Sequence, residues 1–165
     1  MATIDTRKSG FFIQERVGKD GKLFKVIKIR TMRDIPNVNT TVTRENDLRI
    51  TRLGRFWRKT KIDELPQLIN VLLGQMSFVG PRPDVPGFAD QLTGPDRIIL
   101  TVRPGITGPA TLRFRNEEQL LAQQDDPEAY NREVIWPEKV RLNREYVENY
   151  SFRQDIKYIF QTLFG

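Results

Sequence analysis

Phe11-Phe12-Ile13-Gln14-Glu15-Arg16 and Leu23-Phe24-Lys25-Val26-Ile27-Lys28-Ile29-Arg30 are two runs rich in β-branched and aromatic residues, and they flank Gly18-Lys19-Asp20-Gly21. Two such runs around a glycine-bearing turn predict a β-hairpin, with the glycines supplying the positive φ of a tight reversal. Lys28 and Arg30 lie two residues apart, so both side chains leave the same face of the second strand. No strand–helix–strand alternation follows the hairpin. The expected fold is therefore α+β: an N-terminal hairpin or short antiparallel sheet packed with several helices, in a single domain over residues 1–165.

Residues 34–47 are polar, contain Pro36, and read as a surface loop. Residues 48–59 read as a short helical or turn segment. Arg49, Arg52, Arg55 and Arg58 recur there every third residue and would form a drifting basic stripe on a helix. Next, Ile62, Leu65, Leu68, Ile69, Leu72 and Leu73 recur at helical spacing. Thr60 followed by Asp63 fits a variant capping box, whereas Pro66 is comfortable only in a first turn. The helix thus starts near Thr60 and bends, or starts nearer Leu65; either start leaves Asp63 and Glu64 at its N-terminal end.

Gly80-Pro81-Arg82-Pro83-Asp84-Val85-Pro86-Gly87 is a stiff non-helical loop, and Arg103-Pro104-Gly105-Ile106-Thr107-Gly108-Pro109 is a second one. Residues 90–102 read as a helix or helix-turn, and residues 116–124 and 127–149 as charged helices. The end of the chain, 151–165, is amphipathic: Phe152, Ile156, Ile159, Phe160, Leu163 and Phe164 share a face, and Arg153 and Lys157 mark the other.

The chain of 165 residues has no Cys and no His. That excludes thiol nucleophiles, disulfides, imidazole or thiolate metal sites, and every triad built on His. Acid–base or nucleophilic work must fall to Asp, Glu, Lys, Tyr, Ser or Thr. The formal net charge of +6 favours anionic partners such as nucleotides, nucleic acid, phospholipid head groups or phosphorylated substrates. No run of about 18 apolar residues is present, and the first residues lack the pattern of a signal peptide.

Asp63-Glu64 is the pair that stands out. By itself it reads as a helix cap with a solvated neighbour. Its surroundings suggest more. Arg82 sits between two prolines that limit its backbone, and a fixed arginine can grip phosphate bidentately. Two adjacent carboxylates can divide labour, one attacking phosphorus and the other holding Mg²⁺, a hard ion that leans on phosphate oxygens and water. The 103–109 loop adds Arg103, a hydroxyl and glycines, though it is a weaker cradle than a P-loop, and no Walker A or G-x-G-x-x-G motif occurs.

The stretch Arg58-Lys59-Thr60-Lys61-Ile62-Asp63-Glu64-Leu65-Pro66-Gln67-Leu68-Ile69-Asn70-Val71-Leu72-Leu73-Gly74-Gln75-Met76-Ser77-Phe78-Val79-Gly80-Pro81-Arg82-Pro83 closely resembles the signature of the bacterial sugar transferases. Two further segments fit the same family: Phe12 to Gly18 running on to Lys28-Ile29-Arg30-Thr31-Met32, and Val102-Arg103-Pro104-Gly105-Ile106-Thr107-Gly108. These are monotopic phosphoglycosyl transferases. The resemblance implies an enzyme that moves a phosphosugar from a UDP-sugar donor to polyprenyl (undecaprenyl) phosphate with release of UMP. That is the first membrane step of exopolysaccharide, O-antigen and glycan assembly. It further implies Asp63 as a covalent nucleophile, Glu64 as a Mg²⁺ ligand, and Arg58 and Arg82 near the site, with Arg82 on phosphate. Lys28, Arg30 and Arg103 are expected in the nucleotide or phosphate pocket.

Family members carry a basic, apolar N-terminal hairpin that dips into the membrane before the segment matching Ile4-Asp5. The expectation is thus a catalytic domain without that anchor. It would work at the cytoplasmic face of the bacterial inner membrane, be soluble by itself, and have the amphipathic end as a possible contact with the membrane surface. Residues 112–136 look like an elaboration that shapes sugar choice. Two other classes compete. A basic nucleic-acid-binding module would use the arginine stripe at 49–58 but leave the carboxylates unused, so no nucleic-acid partner is expected. An anchor-less, non-catalytic paralogue would serve only as a partner-binding piece.

Overall fold

The computed structural model describes residues 1–35, 40 and 42–165, so the loop expected over 34–47 lies in part outside the described residues. A short helix α1 (Ala2–Thr6) precedes the hairpin strands β1 (Phe11–Val17) and β2 (Leu23–Ile29), which pair antiparallel from Phe11 opposite Ile29 to Val17 opposite Leu23. The reversal takes its positive φ at Asp20 and Gly21, not at Gly18, whose φ is −111°. Gly18 serves instead by its lack of a side chain, since a Cβ there would stand 2.9 Å from the Phe24 ring.

The helices follow as α2 (Arg52–Thr60), α3 (Gln67–Leu72), α4 (Pro109–Arg113), α5 (Glu117–Ala122), α6 (Pro127–Tyr130), α7 (Trp136–Glu148) and α8 (Phe152–Phe164). This is the α+β class expected. The 90–102 segment forms 3-10 turns, Ala89–Gln91 and Gly94–Leu100, in place of a continuous helix. A wide π turn, Asn131–Ile135, leads into α7 just ahead of Pro137, which has no N–H to give to the carbonyl of Glu133. The buried core gathers Val17, Ala89, Ile99 and Leu100, with Trp136 packed against them and edge-on to Phe88 at 5.3 Å.

One element was not expected. β3 (Ser77–Val79) and β4 (Gly105–Thr107) form a second, parallel pair, where the residues around β4 read as a plain loop. Three-residue strands with glycine inside or next to them carry no alternation to read. Here the glycines permit contact between backbones: a Cβ on Gly105 would lie 2.2 Å from the Gly80 nitrogen, and one on Gly80 would lie 2.6 Å from the Arg103 carbonyl.

α3 is fastened to the open edge of β2 by a single side chain. Asn70 donates from Nδ2 to the Lys25 carbonyl at 2.8 Å and accepts the Ile27 N–H at 3.2 Å, completing the ladder that the hairpin leaves open. α8 is fastened by polar ties: Tyr146 to Asp155 at 2.8 Å, the Thr107 and Thr162 hydroxyls at 2.6 Å, and Arg115 to the Gln161 carbonyl at 2.6 Å. Its apolar residues are left largely outside, with Phe152 70%, Leu163 67% and Phe164 79% exposed. Leu68, Leu72 and Leu73 in and after α3 are exposed as well. Among the described residues no helix is long and apolar enough to cross a membrane.

Candidate active site

The chain enters the site through α2, capped by the Thr51 hydroxyl accepting from the Gly54 N–H at 2.8 Å. α2 runs to Thr60, whose hydroxyl bonds back to the Phe56 carbonyl at 2.9 Å. Thr60 therefore closes one helix and does not cap the next, a correction to the expected capping box. Lys61 then takes a left-handed conformation, φ 58°, which costs a non-glycine residue about 1 kcal/mol. This reversal throws Ile62–Glu64 into a 3-10 turn, and α3 starts beyond Pro66. The alternative start nearer Leu65 is the one the chain adopts. Asp63 and Glu64 thus sit in the tight turn between two helices.

The second wall is the 80–84 loop. The Gly80 N–H donates to the Thr107 carbonyl at 2.9 Å and the Gly105 N–H to the Pro81 carbonyl at 2.8 Å. On the other flank the Val17 N–H donates to the Asp84 carbonyl at 2.9 Å, and Arg16 Nη1 reaches the Pro83 carbonyl at 3.2 Å. Held between β1 and β4, with Pro81 and Pro83 buried on either side, Arg82 is delivered to Glu64.

Glu64 is held by two cations. Arg82 Nη1 donates to Oε2 at 3.1 Å, Arg82 Nη2 donates to Oε1, and Lys28 Nζ donates to Oε1 at 3.2 Å. Burial by itself would raise its pKa, but the Arg82 guanidinium and Lys28 together hold it well below the usual carboxylate range. Lys28 contributes at a cost to itself: burial pushes its pKa down to about 8, against the pull of Glu64.

Asp63 is different. It is 6% exposed, and its Oδ1 is buried with no hydrogen-bond partner among the described residues. Burial raises its pKa, the neighbouring Glu64 charge adds to that, and Lys28, Arg58 and Lys61 oppose it. A buried carboxylate with an unpaired oxygen and raised basicity is a poor structural element and a good nucleophile.

Of the other expected site residues, Arg58 faces this turn from the end of α2. It donates from Nη2 to Glu118 and from Nη1 to Thr31 Oγ1 at 3.5 Å. Arg103 is exposed, its guanidinium beside Gly74 at the end of α3. Arg30 is not brought to the carboxylates. Its Nε donates to the Ser9 carbonyl at 2.9 Å and its guanidinium lies 5.4 Å from the Phe12 ring, at the outer end of the hairpin. The basic stripe at 49–58 is broken up too, because Arg49 is locked to Asp47 and Arg58 to Glu118. Arg52 and Arg55 are exposed.

Several residues here carried no signal in the sequence. Arg16 sits within the field of Arg82, Asp84 and Glu64. Asp84 is pushed up to about 6 by burial. Glu118 reaches Arg58 from 60 residues further along the chain. Only Asp84, adjacent to the Arg82 motif, was findable from spacing.

Mg²⁺ fits this donor set. Asp63 Oδ1 is unpartnered and Glu64 Oε2 accepts one hydrogen bond, so each keeps a lone pair. Mg²⁺ fills most of its shell from water and substrate phosphate, so it asks few side chains of the protein.

An aspartate with a buried, unpaired oxygen thus lies beside a glutamate gripped by Lys28 and Arg82, on an α+β frame. The chain belongs to the bacterial sugar transferase family, whose model matches residues 1–165. It is 39% identical over 158 residues to the UDP-glucose:undecaprenyl-phosphate glucose-1-phosphate transferase of Escherichia coli (strain K12), covering 93% of this chain and 32% of that protein. It is 37% identical to the uncharacterized sugar transferase EpsL of Bacillus subtilis (strain 168), over 93% of this chain and 67% of the relative. It is also 37% identical to the exopolysaccharide production protein PSS of Rhizobium leguminosarum bv. phaseoli, over 97% and 78% respectively. The chain spans about a third of the length of the E. coli relative.

Proposed function

We propose that this chain is the catalytic unit of a Mg²⁺-dependent phosphoglycosyl transferase, moving a phosphosugar from a UDP-sugar to polyprenyl phosphate. Asp63 attacks the sugar-bearing phosphorus of the donor. A bond forms between that phosphorus and an Asp63 carboxylate oxygen, the bond to the bridging oxygen breaks, and UMP leaves with that oxygen. The lipid phosphate then attacks the same phosphorus and restores the Asp63 carboxylate. Mg²⁺, held by Glu64 and substrate oxygens, would neutralise phosphate charge. Arg82, Lys28 and Arg58 bind and orient the phosphates.

The observation that carries this reading is the inequality of the two carboxylates: Glu64 paired to Arg82 and Lys28, Asp63 buried with an unpaired oxygen. Transfer to undecaprenyl phosphate by the E. coli relative supports the choice of acceptor. The exposed apolar side of α8, with that of α3, supports seating on a lipid surface, on the cytoplasmic side where UDP-sugars are made. Intact-protein mass spectrometry tests the reaction: incubation with Mg²⁺ and a panel of UDP-sugars should add the mass of one phosphosugar for the accepted donor. UMP release without any adduct would sink the covalent step. Flotation with anionic liposomes tests the surface, which should weaken when Phe160 and Leu163 become Ser.

A further inference from the structure

α5 comes from far along the chain and reaches α2 through a side chain. Its first turn carries two acids that reach different cations: Glu117 meets Lys139 Nζ at 2.6 Å, and Glu118 accepts from Arg58 Nη2. The backbone of α5 is pinned independently. The Glu45 N–H donates to the Glu118 carbonyl at 3.1 Å, and Gln119 Nε2 donates to Glu45 Oε1 at 3.1 Å. Glu118 is therefore a carboxylate with a fixed base.

Arg58 has few other holds. Its Nη1 contact with Thr31 is at the limit of hydrogen-bond range, and its Nε is buried without a partner. The Lys61 N–H donates to the Arg58 carbonyl at 3.2 Å, which folds the 62–64 turn back against the end of α2, and the Arg58 charge reaches two further carboxylates, Asp47 and Asp63. Asp47 is taken by Arg49, which donates from Nη2 to Oδ2 at 2.7 Å and from Nε to Oδ1 at 3.0 Å. Asp63 keeps an unpaired oxygen. Released from Glu118, the Arg58 guanidinium has the unpaired Asp63 oxygen within the reach of its charge, and pairing with it would mask the lone pairs needed for attack.

We propose that Glu118 is a positioning residue: it holds Arg58 beside Asp63 but off the Asp63 carboxylate, so that Arg58 meets donor phosphate and Asp63 stays free to attack. This deepens the proposed function and rests on it. It gives the 112–136 segment a part in the chemical step.

The test is a double-mutant cycle read as the rate of adduct formation in Mg²⁺ and the accepted UDP-sugar. Glu118→Ala should slow the step about tenfold at saturating donor, with donor KM within about threefold, and cost less than about twofold in an Arg58→Ala background. Glu118→Gln keeps an acceptor of the same shape and should retain more rate than Glu118→Ala. Equal losses in both backgrounds, or a loss confined to KM, would overturn the proposal. The Arg58 Nε–H resonance, assigned by its disappearance in Arg58→Ala, gives a readout independent of turnover. Glu118→Ala should shift and broaden it, and an unmoved resonance overturns the proposal even in an active enzyme. A wild type that forms no adduct but shows a Glu118-dependent resonance retains the positioning contact and fails the transferase reading alone.

Discussion

Glu64 and Asp63 are neighbours in one turn, yet the two sides of the cradle treat them in opposite ways. On the side built by β2 and the 80–84 loop, Lys28 and Arg82 fill the oxygens of Glu64 and hold it ionised. On the side built by α2 and α5, Arg58 is tied to Glu118 and leaves an Asp63 oxygen buried and unpaired. A fold that can satisfy one carboxylate this fully could satisfy both. Leaving Asp63 unsatisfied is a standing cost, and the chemistry proposed here gives that cost a use.

Replacing Asp63 should break this difference most sharply. Asp63→Asn keeps the shape and removes the raised, desolvated charge. Transfer should fall by roughly 10³-fold or more, as for other lost nucleophiles. Because the folded-state pKa is raised, the ionised form disfavours folding at neutral pH. The variant's melting temperature should therefore rise by about 2 °C, and scanning calorimetry reads the shift. Loss of activity with loss of stability would point to a structural aspartate.

Arg82→Ala attacks the other side. It strips the bidentate partner from a buried carboxylate and should destabilise by about 1–3 kcal/mol in urea unfolding. Adduct formation should also drop by roughly 10²-fold, through the lost grip on phosphate.

A smaller effect separates charge from fold. Lys28 should lose its proton as pH rises through about 8, so transfer should decline above that point. The sign for stability is opposite. Between about 8 and the ordinary lysine value of 10.5, the unfolded chain binds more protons, so this group favours the folded state as pH rises. A decline in rate without unfolding, abolished in Lys28→Arg, is the expected profile.

The smallest effect is at Arg30, which serves the Ser9 and Phe11 carbonyls, away from the carboxylates. Arg30→Ala should change the adduct rate by no more than about twofold, in keeping with a surface substitution.

These four residues also mark how far the sequence could be read. The hairpin was legible because alternating β-formers and a Gly-bearing turn act locally. Asp63, Glu64 and Arg82 were legible because motif and proline constraint lie close together. The inequality of the two carboxylates was not, since it depends on Lys28 and Arg82 converging on Glu64 across 36 and 18 residues. Arg30 was misleading, because sharing a strand face with Lys28 says nothing about which carbonyls lie past the strand end. Glu118 was out of reach: an acid in a charged helix reads as solvated until the fold lays α5 against α2. The parallel β3–β4 pair was missed because its contact is made by glycine backbones, which leave no side-chain pattern.

The central claim is that Asp63, and not its ion-paired neighbour, carries the phosphosugar. Wild type incubated with Mg²⁺ and the accepted UDP-sugar, quenched in acid and digested, should yield one modified peptide from 62–73. Fragmentation should place the phosphosugar mass on Asp63, and Asp63→Asn should give none. The mass on Glu64 or elsewhere, or UMP produced with every peptide unmodified, would contradict it.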